Sequence, residues 1–257
     1  NPGKQKTHEY LLYKGYTQDE IDEHLPNCSD LHILTIAYWA AGKINGVKFR
    51  AIDPAIPKAK RFLSLTGTTK ELLYNLPGLK NATDIVIVEG ELDAISADIA
   101  LTPAGKYRAV ATTQTIITNE QIQSALQRGV KSFTICLDLD EDGEGKRAKA
   151  IDRVLNVLFE NNVYTVYIAL LNSDKISGKV DPDNYILTHG EAAFCEIIDN
   201  ALTWYMYKLH FVLGKLPNET DRDIQTLQQE IVKLGALLQD PIDLSLIHIS
   251  EPTRRYA

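Results

Sequence analysis

The chain lacks any run of roughly 18 apolar residues, so it offers no membrane-spanning helix. It is also poor in cysteine. Cys28, Cys136 and Cys195 are odd in number and too widely spaced for a zinc ribbon. That argues against a disulfide framework or a zinc module and for a reducing, cytoplasmic setting, with the thiols read as small buried hydrophobes. The first residues, Asn1-Pro2-Gly3-Lys4, hold neither an initiator methionine nor the apolar core of a signal peptide, and read as a fragment boundary or flexible lead-in. A positive surplus is missing too: the formal net charge of −7 argues against a histone-like coater of nucleic acid. With 44% apolar and 24% charged residues, the balance is that of an ordinary globular protein, long enough for one large domain or two smaller ones.

Charge is uneven along the chain. Between Ile36 and Arg61 stand Lys43, Lys48, Arg50, Lys58, Lys60 and Arg61 against a single acid, Asp53. Such a stretch suits either a solvated, lysine-rich hairpin or a surface that meets phosphates.

Periodicity predicts two short helices over residues 8–25, broken near Gly15, then two strands of a small antiparallel sheet over 34–39 and 44–52. From Asp84 the pattern changes. Asp84-Ile-Val-Ile-Val-Glu89 is a short aliphatic run, as expected of a strand buried on both faces of a parallel sheet. Further strands are expected over 108–112, 132–138 and 163–171, alternating with helices over 92–101, 119–128 (capped by Thr118 or Asn119) and 146–161. This alternation predicts a doubly wound α/β unit. Beyond it, residues 191–213 and 221–238 read as amphipathic helices. Residues 244–257 break all periodicity and resemble the translation of a transposon-type sequencing adaptor; they are set aside as a non-native tail.

In open α/β sheets the chemistry gathers at the carboxyl ends of strands. Here the first strand runs into Glu89-Gly-Glu-Leu-Asp93 and the third into Asp138-Leu-Asp140-Glu-Asp142-Gly. Side chains alternate along a strand, so Asp138 and Asp140 point the same way. With Glu89 they form three carboxylates whose mutual repulsion a divalent cation relieves, and all-oxygen ligands suit Mg²⁺ or Mn²⁺. That is the equipment of metal-assisted phosphoryl or nucleotidyl transfer. An EF-hand is excluded because its twelfth position is Lys149, and a dinucleotide site because Gly90 lacks the glycine-rich pattern. An acidic loop capping a helix N-terminus remains an open reading.

The two acidic motifs, each after an aliphatic strand, resemble the TOPRIM domain of topoisomerases, DnaG-type primases, recombination mediators and some nucleases. Flanking segments resemble the primases in particular. These are Gly42-Lys-Ile-Asn-Gly46-Val-Lys-Phe-Arg50 with Lys60-Arg-Phe-Leu-Ser64, then Leu73-Tyr-Asn-Leu, then Gly178-Lys-Val-Asp181-Pro-Asp183 leading to His189-Gly-Glu-Ala-Ala-Phe194. The resemblance covers about residues 8–205. It departs at Thr113-Gln114-Thr115, where primases favour glycine, and at Leu139, where they favour a tight glycine turn; with three scattered cysteines, no primase-type zinc module is expected within these residues.

The resemblance implies a Rossmann-like parallel TOPRIM sheet with flanking helices over 81–171. A partial α+β primase subdomain over 1–80 would precede it and a helical subdomain over 172–243 would follow. It further implies RNA primer synthesis on single-stranded DNA from ribonucleoside triphosphates, with Glu89, Asp138 and Asp140 as catalytic metal ligands. Asp93, Asp181 and Asp183 would serve a further metal or orient the first, although helix capping and turn formation suit the last two equally. Lys48, Arg50, Lys60 and Arg61 would contact nucleotide or template phosphates. Tyr38 or Trp39 could stack a base, with packing beneath the small sheet expected of at least one, and His189 is expected to cap a helix. A replicative helicase, reached through a missing C-terminal region, is the expected protein partner. A TOPRIM nuclease or topoisomerase, or a non-catalytic DNA-binding module, would share the fold.

Overall fold

The computed structural model describes residues 33–52, 56–57, 61–64, 72–113, 117–139, 144–172, 176, 178–213 and 229. The helices expected over 8–25 and 221–238, and the tail, lie outside these residues. The chain divides into two compact units, Asn1–Ala201 and Leu202–Ala257.

The first unit opens with an antiparallel sheet of β1 (Ile33–Ala40), β2 (Lys43–Ala51) and β3 (Phe62–Ser64), in that order. β1 shows the expected alternation: Leu34, Ile36 and Tyr38 are buried and the residues between them are not. Ala41 and Gly42, at φ 50° and 74°, make the two-residue turn to β2, and such left-handed turns match the twist of a hairpin. β3 was not anticipated, since three residues that are all exposed give no periodic signal.

The second sheet of this unit is parallel, in the order β5-β4-β6-β7. β4 (Asp84–Val88) is flanked by β5 (Tyr107–Ala111) and β6 (Ser132–Ile135), with β7 (Val166–Ile168) beyond β6. Its helices are α1 (Glu91–Leu101), α2 (Asn119–Leu126), α3 (Glu144–Glu160), α4 (Pro182–His189) and α5 (Glu191–Asp199). The chain therefore leaves β4 toward β5, then returns past β4 to β6. This reversal of direction opens a crevice at the carboxyl end of β4.

Four of the five residues of β4 are buried, as its unbroken aliphatic run requires. Val86 and Val88 share one core with Leu34, Ile36 and Tyr38 of the small sheet, with Ile95 of α1, and with Phe194 and Ile198 of α5. Each large aliphatic side chain so enclosed contributes about 2 kcal/mol, and together they join the two sheets of the unit. α1 packs on β5 and against α4 and α5, while α2 packs on α3. Of the two caps expected for α2, Thr118 is the one: its hydroxyl accepts from Gln121 N (3.3 Å) and Gln121 Oε1 accepts from Thr118 N (3.1 Å).

Two expectations need correction. The strand expected over 163–171 pairs only over Val166–Ile168. The single helix expected over 191–213 is broken. α5 ends at Asp199, where Asn200 N bonds the Glu196 carbonyl (3.0 Å), and the second unit begins with β8 (Leu202–Thr203) followed by α6 (Trp204–Leu213). Asparagine and β-branched threonine both weaken a helix, and the apolar spacing alone concealed the break. Among the described residues no helix is long and apolar enough to cross a membrane.

Candidate active site

A cavity of about 500 Å³ opens in the first unit at the carboxyl ends of β4, β5 and β6. One wall is acidic. Glu89 and Gly90 follow β4 directly, and Gly90 N-caps α1 in an extended conformation. Gly90 N donates to Asp93 Oδ2 (3.1 Å), and a Cβ at position 90 would lie only 2.4 Å from that oxygen, so any other residue there would displace the Asp93 carboxylate. Asp138 N donates to Glu89 Oε1 (3.3 Å), which joins the end of β6 to the end of β4. Thr113, after β5, also lines the cavity; its N donates to the Glu89 carbonyl (3.1 Å), and its φ of 61° is strained for a β-branched residue.

Leu139 packs against the core where primases favour a glycine turn. It forms an isolated antiparallel bridge with Val180, with N···O distances of 2.8 and 2.9 Å. Val180 is fully buried, so the alternation of an extended segment sends Lys179 and Asp181 to the other side, and both line the cavity. Lys179 Nζ forms an ion pair with Asp138 Oδ2. Asp138 Oδ1 is buried with no hydrogen-bond partner among the described residues.

The carboxylates here are hard to ionise. Burial, then the charge of Glu89, pushes Asp138 up to about 7 against the pull of Lys179. Burial, then the charges of Asp181, Asp138 and Asp183, holds Asp93 well above the ordinary carboxylate range. For Lys179, burial works to lower the ammonium, and attraction to Asp138, Asp93 and Asp181 overcomes it and raises it.

The opposite wall is basic. Lys48 and Arg50, two apart on β2, share one face, and Arg61 and Phe62 stand beside them. Lys48 Nζ lies 4.6 Å from the centre of the Phe62 ring and the Arg50 guanidinium 5.4 Å from it, both within cation–π range. Arg61 Nε donates to the Ile56 carbonyl (2.8 Å). Glu91, the first residue of α1, is buried and accepts from Lys48 Nζ (2.6 Å) and Tyr38 OH (2.5 Å).

The structure thus brings together Glu89, Asp138, Asp93, Asp181 and Asp183 with Lys48, Arg50 and Arg61. Asp140 and Lys60 lie outside the described residues. Among the described residues, no three acidic, histidine or cysteine side chains are placed to hold one ion together. Asp181 N-caps α4, accepting from Asn184 N (2.8 Å), and Asp183 accepts from the Ser96 hydroxyl (2.7 Å). Tyr38 is buried edge-on to Tyr74 at 5.6 Å, whereas Trp39 is 42% exposed. His189 ends α4, its Nδ1 3.3 Å from the Tyr185 carbonyl. Sequence reasoning passed over Glu91, Lys179 and Phe62. The signal for Lys179 was its place two before Asp181, on the same side of an extended segment.

Residues 86–186 match the Toprim-like family model. The chain is 25% identical over 191 residues to a DNA primase of Enterococcus faecalis, covering 72% of this chain and 26% of that protein. It is 28% identical over 209 residues to a DNA primase of Deinococcus radiodurans, covering 79% of this chain and 34% of that protein. The chain therefore spans about a quarter to a third of the length of these relatives. Among solved structures, a DnaG primase catalytic domain bound to single-stranded DNA superposes with a TM-score of 0.70 at 17% identity, over 96% of this chain and 87% of that one. The Escherichia coli primase catalytic core gives 0.68 at 16%, over 96% and 89%. Residues 86–186 thus resemble the Toprim-like family, and the chain is similar in sequence to DNA primases and in fold to DnaG primase catalytic cores.

Proposed function

We propose that the cavity is the nucleotidyl-transfer site of a primase core, which builds short RNA primers on single-stranded DNA from ribonucleoside triphosphates. The observation that carries this reading is the opposition of two walls, acidic strand ends facing a basic β2–β3 edge across about 500 Å³. That volume accepts a nucleotide-sized ligand.

The donor chemistry of the acidic wall suits a divalent cation, with Asp140 needed to complete the ligand set. The donors are all oxygen, Asp138 Oδ1 is buried without a hydrogen-bond partner among the described residues, and the raised carboxyls would relax beside positive charge. Glu89 and Asp138, with Asp140, would hold Mg²⁺ or Mn²⁺, and Asp93, Asp181 and Asp183 would order the ground behind them. Such an ion supplies Lewis acidity at the α-phosphate and lowers the pKa of an attacking 3′-hydroxyl. Lys179 balances the charge of Asp138 in the structure. Arg50, Arg61 and Lys48, joined by Lys60, would bind triphosphate or template phosphates, with an affinity that falls as salt rises. The relative solved with single-stranded DNA supports the choice of template.

The test is incubation with single-stranded DNA, ribonucleotides and Mg²⁺ or Mn²⁺. Labelled short RNA is expected, and Asp138→Ala should lower its yield by about 100-fold or more. Cleavage of the DNA without synthesis would replace this reading with a TOPRIM nuclease.

A further inference from the structure

The Lys48–Glu91 pair joins strand β2 of the small sheet to the first turn of α1, across the mouth of the acidic motif. Its side chains are 16% and 5% exposed. A pair so enclosed gives up most of its Coulomb attraction to desolvation, so stability alone does not account for it. Its position does. The four-carbon stem of lysine is flexible, and an ammonium aims at a ligand only if something fixes it. Here Glu91 Oε1 takes one N–H of Lys48, and the Phe62 ring flanks the ammonium at 4.6 Å. Lys48 lines the cavity, and an ammonium carries three donors, of which Glu91 takes one. Glu91 is fixed in turn: the same oxygen accepts from the Tyr38 hydroxyl, whose ring rests edge-on against Tyr74 in the core. A line of contacts therefore runs from core to cavity and ends in one oriented cation. A strand lysine oriented by a helix glutamate serves phosphate binding in protein kinases.

We propose that Glu91 is a positioning residue whose charge holds the Lys48 ammonium at the cavity wall as a phosphate donor, so that the pair sets nucleotide affinity and leaves the chemical step alone. This inference rests on the nucleotidyl-transfer reading above. Glu91 itself touches no reacting atom in this scheme.

The experiment measures equilibrium binding of ATP with Mg²⁺, and primer synthesis at varied ATP, on the full chain and three variants. Glu91→Gln keeps the shape and should weaken ATP binding by about tenfold, raising KM while kcat stays within about twofold. Tyr38→Phe, which frees Glu91 to swing, should weaken binding in the same sense but less. The exchange Lys48→Glu with Glu91→Lys restores an ion pair with the cation on the helix. It should recover the melting temperature of the wild type and leave ATP binding weak. An exchange that restores binding and melting temperature together would overturn the proposal, because a mere latch between sheet and helix behaves that way. Wild-type affinity in Glu91→Gln would overturn it too. Should the wild type itself bind no ATP, the nucleotidyl-transfer reading falls and takes this inference with it.

Discussion

Replacing Asp138 by Asn keeps the size of the side chain and removes its charge, which isolates what that charge costs the fold. In the folded chain the carboxyl titrates at about 7, against an ordinary 3.8. Below about pH 4 it is protonated in both states and has no effect. Between pH 4 and 7 the unfolded chain releases the proton and the folded chain keeps it, so stability falls as pH rises, by at most about 1.4 kcal/mol per unit. Above pH 7 both states are ionised and the penalty levels off at about 4 kcal/mol as an upper bound. Lys179 loses its ion pair in the variant, but its side chain is 47% exposed and its ammonium can turn to water. A net gain of about 2 kcal/mol is therefore expected for Asp138→Asn at pH 8, or roughly 4–8 °C in Tm for a chain of this size. The gain should shrink to nothing near pH 4. The assay is thermal unfolding of both proteins in EDTA from pH 4 to 8, repeated with Mg²⁺. Added Mg²⁺ should raise the wild type and leave the variant unmoved, closing the gap from the other side. A gap that does not change with pH, or a variant less stable than the wild type at pH 8, would refute the reasoning.

Two further substitutions probe the geometry around this site. Gly90→Ala introduces a Cβ 2.4 Å from Asp93 Oδ2 at a backbone conformation that any residue can adopt, so its cost is steric. Asp93 must give up its bond to Gly90 N, and a loss of about 1–3 kcal/mol is expected in urea unfolding. The same change made on an Asp93→Ala background should cost almost nothing; equal costs in both would disprove the close-approach account. Ala41→Asn places a residue that tolerates left-handed φ at the exposed hairpin turn, where Ala41 sits at φ 50°. It should stabilise by about 0.5–1 kcal/mol without altering nucleotide binding, and a loss of stability would mean the turn is not under strain.

What the sequence made legible, and what it hid, follow from how far each signal reaches. The parallel strands were readable because a strand buried on both faces must be aliphatic throughout, as Ile85 to Val88 are. Parallel order then carries Glu89 and Asp138 to the same sheet end. Thr118 and Gln121 declared their cap within four residues. Glu91 was not readable, and Lys179 was readable only as a neighbour of Asp181, because the value of each depends on a partner from a distant element. Glu91 needs Lys48 of the small sheet, and Lys179 needs the bridge that lays Val180 beside Leu139. Local periodicity says nothing about which sheet faces which helix. β3 escaped for the opposite reason, since a short exposed edge carries little pattern at all.

The Leu139–Val180 bridge has a consequence for how the site comes into being. Asp138 leaves the ribosome with β6, but the ammonium that balances it arrives only with the segment before α4, after all of α3 and β7. The bridge consists of two backbone hydrogen bonds outside both sheets. It can therefore open as a small cooperative unit while the strands stay paired. The Leu139 and Val180 amides should then exchange with solvent as a matched pair, faster than those of β4. Their common rate would measure how often the finished site comes apart.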